Sequence, residues 1–205
     1  MSYNCSCTIG YVGAHCEKFC NRDVLVRIDQ SLLNYIDDQS TVQFLQNLVN
    51  KVQIGSNGVL MEVSVFAESR IYYRWALSSN TYKSGLLSAI GNLPNQQVMY
   101  SSLPDIYAPV HSIYTQRYSG NGDRSNVPDV PLIITGQFQN NYHNVKHESD
   151  AINSYIPLIT IGVGNANTQV LRSIAKDSAH ALSVRTISDL VDSAFVDKVL
   201  NLICK

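Results

Sequence analysis

Short apolar runs alternate with helical patterns from residue 23 to the end of the chain, and this alternation restricts the possible folds more than any other feature. The predicted strands are residues 24–28, 59–69, 70–77, 130–137, 155–165 and 181–187. The predicted helices are residues 41–52, 82–93, 167–175 and 188–203. Strands that alternate with helices form a mostly parallel sheet that is covered on both faces. We therefore predict a doubly wound α/β fold, in which residues 70–77 pair antiparallel with residues 59–69.

Two of the helices show how they meet this sheet. The helix over residues 41–52 places its apolar side chains on one face: Val42, Leu45, Leu48, Val49 and Val52. The last helix is expected to begin at an N-cap formed by Ser188 or Asp189, because short polar side chains can accept hydrogen bonds from the first free N–H groups. Both patterns are typical of helices that pack against a sheet.

The composition is that of an ordinary globular protein with few charges. Of the 205 residues, 45% are hydrophobic and 15% are charged, and the formal net charge is -1. Nucleic acids and anionic membranes both attract a basic surface, so neither is expected as the main partner. No apolar run approaches the roughly 18 residues that are needed to span a bilayer. The length favours one domain with a small appendage.

The cysteines are concentrated at the two ends of the chain. Four of the five lie within the first 20 residues, and the fifth is Cys204. This clustering favours disulfides, and with them an extracellular location. Residues 1–19 hold too few aliphatic side chains to form a core of their own. The first residues contain no apolar signal region, so we expect that a secreted protein would carry this chain as a mature piece.

The first predicted strand ends in an acidic residue that is followed by a hydroxyl. Asp29 comes directly after residues 24–28, and Ser31 comes two residues later. Ligands of such sheets bind beyond the carboxyl ends of the strands, and carboxylate and hydroxyl oxygens suit hard cations. The pair therefore predicts the beginning of a cation site. The alternative is that both side chains hydrogen-bond to the backbone of their own loop.

Arg27 lies two residues before Asp29, and strand alternation places both side chains on the same face of a predicted central strand. A buried guanidinium group needs a charged partner. One hypothesis pairs Arg27 with Asp29 in place of a metal ion. The other hypothesis pairs Arg27 elsewhere, with its aliphatic stem along the sheet edge.

Two histidines, His143 and His147, are four residues apart. On a helix their imidazoles would share a face and could chelate Zn²⁺ or Cu²⁺. The Glu follows the second His, so the pattern differs from the metalloprotease motif. The alternative is a solvated surface helix.

Tyrosines are concentrated in residues 100–118. We predict an aromatic and cationic binding surface in this segment, because Tyr and Arg are favoured at protein interfaces. Its members are Tyr100, Tyr107, Tyr114 and Arg117. Packing at the edge of the core is the alternative.

The sequence contains no phosphate-binding loop, no nucleophile elbow and no pair of carboxylates at a strand end. An enzyme is therefore not expected.

The order of these elements resembles the von Willebrand factor type A domain over nearly all of residues 20–205. "DVLVRIDQS" stands where the family has an apolar strand that ends in Asp-x-Ser-x-Ser, and "PLIITGQ" stands where it has a strand that ends in Thr-Asp-Gly. "ITIGVGNANTQVLRSIA" matches the family's strand, Gly-Val-Gly turn and helix. The resemblance implies the same doubly wound fold.

The resemblance also implies a metal site with side-chain ligands from three loops. Leu33 replaces the second Ser of the first loop, and Gly136 stands where the Asp of the third loop should be. The candidate ligands that remain are Asp29, Ser31, Ser101 and Ser102. With one carboxylate lost, we expect a degenerate site that is weak or empty, so no cofactor is required. A weakly bound Mg²⁺ or Ca²⁺ is the alternative.

Residues 1–19 resemble the C-terminal half of an EGF-like module, through the spacing C-x-C-x-x-G-Y-x₄-C. This implies a disulfide between Cys7 and Cys16, and it leaves Cys5 without its usual partner. Many type A domains carry a disulfide between their two ends, which Cys20 and Cys204 fit. We expect a partial EGF-like module at residues 1–19 and a type A domain at residues 20–205.

This arrangement is common in the extracellular matrix of animals, and matrilins and thread matrix proteins resemble it. We expect a secreted, non-enzymatic adhesion module that binds a matrix protein, with collagen as the leading partner. The alternative is a fragment of a metal-dependent adhesion receptor that keeps a weak cation site. The oligomeric state stays open, with a homo-oligomer among the options.

Overall fold

The computed structural model describes residues 11–12, 17–18, 20–33, 39–95, 104–116, 122–136, 138 and 142–205. Its eight strands are β1 (Tyr11–Val12), β2 (Glu17–Lys18), β3 (Arg22–Asp29), β4 (Val59–Ala67), β5 (Arg70–Trp75), β6 (Asp129–Thr135), β7 (Ile159–Val163) and β8 (Ala181–Val184). The first two form a small antiparallel pair. The other six form one sheet in the order β5-β4-β3-β6-β7-β8. Only the β4–β5 pairing in this sheet is antiparallel, which confirms the predicted mostly parallel α/β fold.

Six α-helices occur in the described part of the chain: α1 (Ser40–Asn50), α2 (Lys83–Gly91), α3 (Tyr107–Gln116), α4 (Tyr142–Asn153), α5 (Thr168–Ile174) and α6 (Ser193–Ile203). Helices α1, α2 and α6 bury their apolar side chains against one face of the sheet. Helices α3, α4 and α5 cover the other face. None of these helices combines the length and the apolar character that crossing a membrane requires.

The central strand β3 places apolar side chains on one face of the sheet and charged side chains on the other. Every second residue enters the core beneath α1, α2 and α6, namely Val24, Val26 and Ile28. The residues between them point to the opposite face, because successive side chains of a strand alternate. Three of these are charged and fully buried, namely Asp23, Arg27 and Asp29. Each of these three charges therefore needs a partner inside the protein.

The C-terminal helix begins later than predicted. Residues Ile187–Val191 form a 3₁₀ helix, and α6 follows from Ser193. Asp192 caps α6, since its Oδ1 accepts a hydrogen bond of 3.0 Å from the backbone N–H of Phe195. The predicted cap at Ser188 or Asp189 is therefore wrong. Asp189 instead accepts a bond from the N–H of Thr186 at 2.9 Å and stabilises the preceding turn.

A disulfide between Cys20 and Cys204 joins the segment before β3 to the end of α6. Its two Cα atoms are 5.2 Å apart, and the bond closes a loop over a sequence separation of 184 residues. This is the pairing that the resemblance implied. Cys5, Cys7 and Cys16 lie outside the described residues, so the Cys7–Cys16 disulfide stays a prediction.

Candidate functional site

Asp29 ends strand β3 at the carboxyl edge of the sheet, and its carboxylate is fully buried. Its Oδ1 accepts a hydrogen bond of 2.8 Å from the backbone N–H of Ser31. Its Oδ2 accepts bonds from the hydroxyl of Thr135 at 3.1 Å and from the N–H of Gly136 at 3.0 Å. Both oxygens thus accept bonds from the protein itself. The bond from Ser31 lies within the loop after β3, as the alternative expected, whereas the other two donors come from the carboxyl end of β6.

Burial determines the protonation behaviour of Asp29. Removal of the carboxylate from water raises its pKa above the usual value. The hydrogen bonds from Ser31, Gly136 and Thr135 favour the charged form and oppose this rise. The anion is therefore stabilised by neutral donors from the loop after β3 and from the carboxyl end of β6.

Two residues that interrupt the family's metal motif have different surroundings. Leu33 is 4% exposed and belongs to the core beneath α1, α2 and α6. Gly136 faces the site: a Cβ atom built on it would lie 3.4 Å from Ser31 Oγ and 3.7 Å from Asp29 Oδ2. A carboxylate at position 136 would therefore stand beside Asp29. Glycine leaves this position without a side-chain ligand atom.

The described side chains do not fit a complete magnesium site. Mg²⁺ requires nearly octahedral oxygen ligands and gives up water reluctantly. Among the described residues at this edge, Asp29 supplies one carboxylate that is already hydrogen-bonded, and Ser31 and Thr135 supply hydroxyls, of which that of Thr135 already donates to Asp29. Ser101 and Ser102, the candidates from the second loop, lie outside the described residues. We derive no metal-dependent step from this arrangement.

Gly136→Asp should create cation binding that the native chain lacks or holds only weakly. The new carboxylate would lie beside Asp29, and the contacts of its Cβ are ordinary van der Waals distances. At a concentration 100 times the dissociation constant, Mn²⁺ would stabilise the variant by about 2.7 kcal/mol, which is roughly 5–10 °C in Tm. Differential scanning calorimetry with and without Mn²⁺ measures this shift.

A matched control adds the same carboxylate elsewhere. Gly91 is exposed at the end of α2, and a Cβ there meets only Gln46 Nε2, at 3.8 Å. Gly91→Asp should show the same small response to Mn²⁺ as the native chain. Equal stabilisation of both variants by Mn²⁺ would show that the carboxyl edge of the sheet is not the binding position.

Arg27 does not take Asp29 as its ion-pair partner. Its Nη2 lies 2.8 Å from Glu62 Oε1 on the neighbouring strand β4, and both side chains are almost fully buried. Its Nε donates to Ser112 Oγ of α3 at 2.9 Å. Of the two sequence hypotheses, pairing elsewhere is the correct one, although the pair lies in the middle of the sheet and not at its edge. The register of β3 with β4 brings this partner into reach.

The histidine pair is described only in part. His143 and His147 both lie in α4, and His147 is exposed. The side chain of His143 lies outside the described residues. Chelation of a transition metal by this pair stays a prediction.

The predicted aromatic surface is centred on α3, a helix that the sequence analysis did not predict. Tyr107 stacks on His111 one turn later, with ring centroids 5.0 Å apart. His111 Nδ1 lies 2.8 Å from Glu148 Oε1 of α4, and the hydroxyl of Tyr107 donates to the same oxygen at 3.4 Å. Burial and the Glu148 carboxylate raise the pKa of Tyr107. The spacing of Tyr107 and His111 was the available signal for this cluster.

The other members of the aromatic surface differ in exposure. Tyr114 is half-buried and packs against the core beneath α3, α4 and α5. Tyr100 and Arg117 lie outside the described residues. Tyr114 thus behaves in part as the alternative expected, as packing at the edge of the core.

A second group of charged residues lies at the opposite edge of the sheet. Asp23 is the second residue of β3, Asp129 begins β6, and Asp123 precedes β6 in the chain. One carboxylate oxygen from each of the three lies within 4.8 Å of the other two. The sequence gives no sign of this group, because Asp23 is about 100 residues away from Asp123 and Asp129 in the chain.

The fold agrees with the comparisons to known proteins. The family model described as von Willebrand factor type A domain matches residues 23–194. The chain belongs to the von Willebrand factor type A domain family. The match extends from the second residue of β3 to the second residue of α6. Comparison with curated proteins gives no significant match.

Solved structures of other proteins share the fold. Proximal thread matrix protein 1 from the mussel byssus has a TM-score of 0.77 and 19% identity, over 92% of this chain and 49% of that chain. The same mussel protein with a zinc-occupied MIDAS motif has a TM-score of 0.73 and 22% identity, over 91% of this chain and 46% of that chain. This chain thus spans about half the length of the mussel protein.

A parasite protein extends the structural comparison. The manganese-loaded TRAP protein of Plasmodium vivax has a TM-score of 0.65 and 16% identity, over 91% of this chain and 75% of that chain. At these identities the likeness establishes the type A fold and nothing finer.

Proposed function

We propose that this type A domain is a non-enzymatic, extracellular adhesion module that binds a matrix protein without a complete metal site. Collagen is the leading partner. The domain would act in matrix cohesion, after a partial EGF-like module at residues 1–19. The relation in fold to a byssal thread matrix protein supports this assignment.

The hydrogen bonds of the Asp29 carboxylate are the main observation that supports the proposal. Its two oxygens accept bonds from Ser31, Thr135 and Gly136, and Gly136 contributes no carboxylate. A family member that used a cation to capture a partner's carboxylate would need coordination positions that these residues do not supply. Binding should therefore use a protein surface away from the carboxyl edge of the sheet.

The exposed side of α3 is the surface that we propose for this contact. Tyr107 and His111 form a stacked pair there, and Glu148 anchors both side chains through hydrogen bonds. A rigid aromatic pair loses little entropy on binding. Collagen presents side chains along a rod, so a polar and aromatic surface suits it.

Binding to immobilised fibrillar collagen tests the proposal. Binding of the native domain should be unchanged by EDTA, and Tyr107→Ala should weaken it at least tenfold. Tyr155 is 78% exposed after α4, so Tyr155→Ala is a control that removes a tyrosine outside the proposed surface. Equal binding by both variants would reject the α3 surface, and no binding of the native domain would reject collagen.

The second candidate is a metal-dependent adhesion domain that keeps a weak divalent cation at Asp29 and Ser31. The mussel protein with a zinc-occupied MIDAS motif and the manganese-loaded TRAP protein favour it. Loss of partner binding in EDTA, restored by Mg²⁺ or Zn²⁺, would support this candidate over the first.

A further inference from the structure

The acidic side chains at the amino-terminal edge of the sheet differ in whether a positive charge lies beside them. Asp23, Asp123 and Asp129 bring three carboxylates together, with one oxygen of each within 4.8 Å of the others. This edge lies opposite the loop of Asp29, since β3 and β6 begin here. The group is therefore separate from the candidate site described above.

Arg124 neutralises one of these carboxylates. Its Nε and Nη2 donate to Asp23 Oδ1 at 2.8 and 2.6 Å, and its backbone N–H donates to Asp23 Oδ2 at 2.9 Å. The same guanidinium donates to the carbonyl oxygens of Ser56 and Gly58. Arg124 thus holds residues 122–128, the start of β3 and the turn before β4 together.

Asp129 has no such partner among the described residues. Its Oδ1 is buried without a hydrogen bond, while the charged groups that act on it are Asp123, Asp23 and Glu62. The two nearby guanidinium groups are engaged, Arg124 with Asp23 and Arg27 with Glu62. Burial and these three acidic neighbours raise the pKa of Asp129 to about 7.

We propose that the three carboxylates form a proton-dependent clasp, in which a proton on Asp129 keeps residues 122–128 against the edge of the sheet and loss of that proton loosens them. A protonated Asp129 can donate a hydrogen bond to a neighbouring carboxylate. A deprotonated Asp129 repels Asp123, which is exposed. Arg124 would transmit the loosening to the turn before β4.

The direction of the pKa shift of Asp129 determines the pH range over which stability changes. Asp129 binds its proton more tightly in the folded chain than at its ordinary pKa of 3.8. The folded state is therefore most favoured at low pH, and this contribution is lost as the pH rises from about 4 to about 7. Above that range Asp129 is ionised in both states and its contribution stays constant.

Comparison of the native chain with Asp129→Asn tests the clasp, because asparagine imitates the neutral acid. Between pH 5 and pH 8 the native Tm should fall by roughly 3–6 °C more than that of the variant, after allowance for partial exposure of the group. Amide hydrogen exchange in residues 122–128, corrected for intrinsic rates, should accelerate over the same range in the native chain only.

Asp150→Asn is the matched control, since Asp150 is an exposed carboxylate that pairs with Lys146 on α4. Asp150→Asn should show the same dependence of Tm on pH as the native chain. If Asp129→Asn does not fold, Asp123→Asn takes its place and should show a smaller dependence of Tm on pH than the native chain. Identical pH dependence in the native chain and Asp129→Asn would overturn the proposal. Stabilisation by Ca²⁺ at pH 8 that disappears in Asp129→Asn would also overturn it, because a cation would then neutralise the group.

Discussion

Replacement of Arg27 by methionine should destabilise the domain by about 3–5 kcal/mol, the usual effect of removing one partner from a buried ion pair. Glu62 would remain almost fully buried without the guanidinium that now lies 2.8 Å away. Ser112 of α3 would also lose the Nε donor at 2.9 Å, so contact between α3 and the sheet would weaken. Urea denaturation followed by circular dichroism measures the free energy of unfolding.

The double variant Arg27→Met with Glu62→Leu separates charge from packing. Replacing a whole buried pair by apolar residues of similar size is often neutral or stabilising. We therefore expect the double variant to recover most of the stability that Arg27→Met loses. A single variant within about 1 kcal/mol of the native chain would mean that Glu62 is neutralised in another way.

Removal of the Cys20–Cys204 disulfide should lower the free energy of unfolding by about 5 kcal/mol in the chain-entropy model. The bond closes a loop over 184 residues, so it removes many conformations from the unfolded chain. The double variant Cys20→Ala with Cys204→Ala removes both partners and therefore leaves no unpaired thiol at this bond. Guanidinium denaturation compares it with the oxidised native protein.

Reduction gives an independent control for the disulfide. Dithiothreitol should lower the Tm of the native chain toward that of the double variant and leave the variant unchanged. A double variant as stable as the native chain would show that contacts between α6 and the core hold the ends together without the bond. Such contacts exist, because Val199, Leu200 and Ile203 are buried in that core.

Local patterns predicted most of the elements because each depends on neighbouring residues. The apolar spacing of α1 is one example, since Leu45 and Val49 are fully buried as the pattern required. Helix α3 was missed, because Pro109, His111 and Ser112 weaken its helical pattern and its burial comes from contacts with distant elements. The true start of α6 depended on which of two nearby aspartates caps it, and only the backbone geometry distinguishes Asp189 from Asp192.

The departure from the family's metal motif is visible at single positions. Leu33 and Gly136 have no side-chain oxygen whatever their surroundings, so the sequence alone predicts a degenerate site, and this stays a prediction. The family match and the six-stranded sheet agree with the order of elements from which that site was inferred.

Partners of buried charges were decided only by the tertiary structure. Arg27 meets Glu62 because β3 and β4 pair in one register, and Asp23 meets Arg124 across 101 residues of chain. Asp29 receives bonds from Thr135 and Gly136 because β6 lies next to β3. The identity and spacing of residues in the sequence determine which charged and polar groups exist. Strand order and register determine which of these groups meet, because a register shift of one residue moves every side chain of a strand to the other face of the sheet.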